Sequence, residues 1–229
     1  MSTSLIQIAI NLARLAAFRF DLNHMPFLYT GNTPMADSSP IDPDRLHAIL
    51  QFIQAAEALK DTLRSGHTAQ GRSESVAEHT WRLCLLVLMF DKELRDYDLL
   101  KILKLCIVHD LGEAISGDVP AIHQSQGDDR EAREREDLHQ LCQPLPADLR
   151  DEITSLWDEY TNAASPEAIM VKGFDKLETM LQHLAGRNAP DFDYAFNLDY
   201  GTRQTGRHPL LQQIRDVVDA ETRTRCQPS

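Results

Sequence analysis

Apolar residues recur along most of this chain at the three-to-four-residue spacing of a helix, not in the alternation of a strand. Asp42-Pro43 opens the first such run, with Leu46, Ile49, Leu50, Ile53, Ala56 and Leu59 on one face through about Leu63. Arg64 to Glu74 is polar and glycine-bearing and is read as a loop. Ser75-x-x-Glu78 is a capping box that starts a helix running to about Leu94. A third helix spans Tyr97 to about Gly112, apolar at Leu99, Ile102, Leu103, Leu105, Cys106, Ile107 and Val108. After a tight segment from Gly112 to Ile122 come four more: a strongly charged one from Asp128 to Leu141, then Ala147–Tyr160, Pro166–Ala185 and Pro209 to about Arg223. The pattern predicts an all-α bundle of six or seven helices.

The N-terminal stretch differs. Leu5 to Phe20 is apolar, with Gln7, Asn11 and Arg14 on one helical face. It is too interrupted to span a membrane and lacks the basic start and cleavage site of a secretory leader. Two readings stay open: an extra docking helix, or residues upstream of the true start, with Met25 or Met35 as initiator. Residues 30–43 read as a linker, which divides the chain into an extension (1–40) and one domain (41–229).

Hydrophobic content of 42% and charged content of 25% are ordinary for a globular chain. A net charge of −12 argues against a nucleic-acid polymer as partner, since that needs a basic stripe. The four cysteines show no C-x-x-C spacing. Cys84 and Cys106 fall in apolar helical runs and read as buried thiols, which fits a reducing cytoplasm. Trp81 and Trp157 read as core, His123 and His139 as solvated, and His183, eight residues after Asp175 on roughly the same helical face, as a pocket-lining residue.

The chemistry concentrates at His109-Asp110, which follows the apolar Leu105-Cys-Ile-Val108. Burying such a pair is costly unless something binds it. His79, on the first turn of its helix, and Asp175, inside Met170-Val-Lys-Gly-Phe-Asp175, are unremarkable alone. His79 fits a surface histidine, and Asp175 an acid paired with Lys172 or Lys176. Together the order His…His-Asp…Asp across three helices suits a divalent cation. Glu113, one turn past His109, is either a helix-end surface acid or the group that handles a nucleophilic water.

These residues resemble the HD-domain phosphohydrolase superfamily, named for its His-Asp pair. Glu74-Ser-Val-Ala-Glu-His-Thr-Trp81, His109-Asp-Leu-Gly-Glu-Ala-Ile-Ser-Gly-Asp-Val-Pro120 and Phe174-Asp-Lys-Leu-Glu178 are similar to the branch that contains the 5′-deoxynucleotidases. The resemblance covers about residues 45–220. It implies His79, His109, Asp110 and Asp175 as metal ligands and one divalent ion, with Mn, Co, Fe, Mg and Zn all compatible. It implies Arg64 as the phosphate contact, with a guanidinium's bidentate reach, and Glu113 and Asp118 as catalytic residues. Asp118 stays open between catalysis, holding the sugar and a plain turn-forming role. Several relatives carry a tryptophan directly after the phosphate arginine. Here Ser65-Gly66-His67 follows, and His67 stands in as a substrate contact.

The activity so implied is hydrolysis of nucleoside 5′-monophosphates, deoxynucleotides foremost, with a small nucleotide as substrate and no membrane partner. Another small phosphoester and a non-catalytic metal-binding module are the alternatives. A homodimer is an assembly the resemblance allows.

Overall fold

A computed structural model describes residues 40–119 and 129–226. The N-terminal extension, His24 and His123 lie outside the described residues. The fold is helical, with one two-stranded sheet among the described residues.

Helix α1 (Pro43–Ala56) starts where Asp42 accepts from the Arg45 amide and proline fills the first turn. A 3₁₀ turn (Glu57–Lys60) ends it, so the expected single helix to Leu63 stops short. The expected loop is instead an antiparallel hairpin, β1 (Leu63–His67) with β2 (Ser73–Ser75), paired Leu63 to Ser75 and His67 to Ser73. Helix α2 (Val76–Met89) carries the anticipated capping box, with both reciprocal bonds between Ser75 and Glu78 in place. It buries Val76, His79, Leu83 and Val87 along one stripe. Trp81, two residues from His79, points the other way and is 65% exposed, so it is not core.

Helix α3 (Leu99–Val108), capped by Asp98, ends at His109, and a short helix α4 (Glu113–Ser116) follows. Then come α5 (Arg130–Cys142), α6 (Ala147–Thr161) and α7 (Pro166–Ala185), the last capped by Ser165 with proline at its start. Two short turns of helix, α8 (Phe196–Asp199) and α9 (Thr202–Thr205), precede α10 (Pro209–Arg225).

Helix α7 is the hub. It touches α2, α3, α6, α9, α10 and strand β1, and twelve of its side chains are buried, so its position fixes the others. One apolar cluster joins Leu83, Val87, Ile102 and Leu105 to Phe174 and Leu177 on α7. A second, with Phe52, Val108, Leu138 and Trp157, lies beneath α4. Cys106 and Cys142 are buried, Cys84 is half-buried, and all three are free thiols. No helix among the described residues is long and apolar enough to cross a membrane.

Candidate metal centre and its cavity

Four side chains from α2, the end of α3, and α7 converge between the two apolar clusters. His79 Nε2 lies 3.3 Å from Asp175 Oδ1 and 3.9 Å from Asp110 Oδ2. His109 Nε2 lies 3.1 Å from Asp110 Oδ2 and 4.0 Å from Asp175 Oδ1. His79 is fully buried, and His109 and Asp175 are nearly so.

Each imidazole is oriented through its other nitrogen. His79 Nδ1 meets the Glu178 carboxylate, and His109 Nδ1 donates to the Cys106 carbonyl at 2.7 Å. In the neutral ring that leaves the lone pair on Nε2, and neither Nε2 has a hydrogen-bond partner. Two buried, unpartnered nitrogen acceptors facing two carboxylates form a donor set that fits a divalent cation. Trp157 Nε1 donates to the His109 carbonyl at 3.1 Å and holds the backbone there. Tyr160 Oη donates to Asp175 Oδ2 at 3.0 Å, and Lys176 Nζ pairs with the same oxygen at 2.9 Å.

The electrostatics agree with ionised carboxylates. Burial works against the Asp110 charge, but His109, Arg64 and His79 outweigh it and hold the carboxyl well below its usual range. Asp175 is held down in the same way by Lys176 and the two histidines. His79 resists charging through burial and Arg64, yet Asp175 and Glu178 prevail and raise it to about 9 in the cation-free protein.

A cavity of about 1330 Å³ opens onto this cluster. That exceeds the roughly 300–1,000 Å³ of ordinary small-molecule sites, so space does not limit a nucleotide. Arg64, His109, Asp110, Glu113, Asp118 and Asp175 line it, whereas His79 lies behind the wall. Arg64 comes from β1. Its Nη1 reaches Asp110 Oδ2 at 3.2 Å and its Nη2 reaches Thr179 Oγ1 at 3.3 Å.

Glu113 does not continue the α3 helix. Its amide bonds back three residues to the Asp110 carbonyl, and the tighter turn starts α4. Gly112 lets α5 pack against this turn, because a Cβ there would meet the Glu134 carbonyl at 2.7 Å. The Glu113 carboxylate is 6% exposed, with one oxygen unpartnered. Burial, joined by Asp110 and Asp118, pushes it well above the usual range. Asp118 follows Gly117, whose φ of +88° turns the chain back toward the cavity. Burial raises its carboxyl against the pull of Arg64.

His67 is not among the lining residues. Its carbonyl accepts from Gln182 Nε2 at 2.6 Å, so it serves as a joint between β1 and α7. His183 lines the cavity, and His139 is half-buried beside Arg135. Sequence reasoning missed the supporting roles of Glu178, Trp157 and Tyr160. The one available signal was Glu178, a buried-face acid three residues beyond Asp175.

A family model described as HD domain matches residues 56–215. The 5′-deoxynucleotidase HDDC2 of Bos taurus is 33% identical over 199 residues, covering 82% of this chain and 93% of that protein. The protein of the same name from Dictyostelium discoideum is 33% identical over 184 residues, covering 75% and 97%. A crystal structure of a predicted metal-dependent phosphohydrolase from Magnetospirillum magnetotacticum MS-1 superposes with a TM-score of 0.69 at 26% identity, covering 80% and 96%.

Proposed function

This chain belongs to the HD-domain family, and from that premise we propose that it hydrolyses nucleoside 5′-monophosphates, deoxynucleotides foremost, to nucleoside and phosphate. The observation that carries the reading is the pair of buried Nε2 atoms, unpartnered and facing Asp110 and Asp175, next to a cavity with room for a nucleotide. His79, His109, Asp110 and Asp175 would hold one divalent ion, with Mn, Co, Fe, Mg and Zn as candidates. When bound, it supplies a Lewis acid and a water of lowered pKa.

The chain's own groups do the rest. Arg64, beside Asp110 and mostly buried, turns a guanidinium toward the phosphoryl oxygens. Water attacks phosphorus, and its proton passes to Glu113. The burial that raises this carboxyl makes it a stronger base than a solvated glutamate. The bond from phosphorus to the sugar 5′-oxygen breaks, and the departing oxygen takes the proton that Glu113 accepted, with Asp118 lining the same cavity.

The test is phosphate release from ribo- and deoxyribonucleoside 5′-monophosphates, 3′-monophosphates and unrelated phosphoesters. The protein is stripped of metal and refilled with Mn, Co, Mg or Zn. Metal-dependent release confined to 5′-monophosphates is the expected result. Release from the unrelated esters alone moves the substrate elsewhere.

A further inference from the structure

The cavity changes character along α7. Asp175, Thr179 and His183 succeed one another at intervals of four residues and all line it. Eight residues of helix rise about 12 Å, of the order of a nucleoside monophosphate from phosphorus to the far edge of its base. The near end is charged, with Arg64 braced on Thr179. The far end carries an aromatic pair among acids: Phe192 meets His183 edge-on at 4.9 Å, and Asp191 and Asp193 also line the cavity. Phe196 stacks on Tyr200 at 5.4 Å, and the Tyr200 ring lies 5.3 Å from Lys176 Nζ, at the charged end.

This aromatic end is held stiffly. His183 Nδ1 is 2.9 Å from Asn197 Oδ1, so the ring donates there and keeps Nε2 as an acceptor. Burial lowers the His183 pKa, which favours the neutral ring. Asn188 Nδ2 ties the His183 carbonyl at 2.6 Å to the Tyr194 hydroxyl at 3.0 Å. Arg215, 2% exposed, donates to the carbonyls of Asn197 and Leu198 at 2.8 and 2.7 Å.

We propose that His183 and Phe192 form the nucleobase subsite: the phenylalanine ring stacks on the base, and His183 Nε2 accepts an N–H from its edge. The subsite rests on the nucleotidase reading. It follows from the distance along α7 and the aromatic pair that lines the cavity there.

The experiment compares kcat/KM for 2′-deoxyadenosine 5′-monophosphate and for 2-deoxyribose 5-phosphate, which has the same ester but no base. In the wild type the nucleotide is preferred. Phe192→Leu keeps apolar bulk but removes the ring. It lowers that preference about tenfold, the scale of one base–aromatic stack, and leaves the sugar phosphate within about twofold. Phe192→Tyr restores the preference.

A preference unchanged in Phe192→Leu overturns the subsite, as does an equal fall on both substrates. If the wild type turns over both esters equally, the subsite fails while the phosphatase reading stands. If it releases phosphate from neither, both fail together.

Discussion

His79 and His109 each commit one ring nitrogen to the protein and present the other to the carboxylates. The Glu178 carboxylate behind His79 aims the ring and raises its basicity as a ligand. Glu178→Gln preserves the shape and removes the charge. It is expected to weaken Mn affinity by about 10- to 100-fold, measured by titration calorimetry, with a melting temperature close to wild type. An unchanged affinity would reduce Glu178 to a packing role.

The four proposed ligands were legible in the chain as candidates, and the structure brings them together. His109-Asp110 ends an apolar run, and Asp175 interrupts one, and such polar residues need a reason to be there. Their supports were not legible. Glu178 meets His79 across 99 positions, and Trp157 meets the His109 carbonyl across 48. Helical periodicity tells which face a residue occupies, not what that face packs against.

The six principal expected helices after the first appear with boundaries shifted by a few residues, and Pro166–Ala185 is unshifted, because a serine cap and a proline mark its start. The hairpin was missed for a physical reason. Its strands have five and three residues, are mostly polar, and lack alternation, so nothing distinguishes them from a loop. The miss matters because it puts Arg64 on a strand facing α7, not on a helix end. Helix α10 has a comparable hidden role. Through Arg215 it holds the carbonyls of Asn197, Leu198 and Tyr200, and the same side chain pairs with Asp219 at 2.7 Å. Arg215→Met keeps the bulk but takes the nearest cation from the half-buried Asp219 and leaves three carbonyls without their donor. A loss of about 3–5 kcal/mol in urea unfolding is expected. A loss under about 1 kcal/mol would mean that water replaces the guanidinium without strain.

For the whole molecule, the proposed ligands, drawn from α2, the α3 terminus and α7, would make cation binding and folding one equilibrium. His79 in the cation-free protein is raised to about 9, above the ordinary histidine value of 6.5. Its protonated form therefore stabilises that state fully below about pH 6.5, and the contribution disappears as the pH climbs through about 9. A cation needs the neutral ring, so uptake displaces this proton and strengthens with pH across the same window. The rise in melting temperature on adding Mn should be larger at pH 8 than at pH 6.5, read by differential scanning calorimetry. An equal rise at both would place the displaced proton elsewhere.

Among the described residues, His79 is sealed off, His109 and Asp175 are nearly so, and Asp110 is the most open of the four, on the cavity side. If these four side chains hold the ion, ion and ester would share the cavity side of Asp110 among the described residues, and an order of traffic would follow. The ion would enter first, the ester would close the passage behind it, and the ion would leave only after the products had gone. Such a protein holds its ion most firmly while it is working and is most easily stripped when idle.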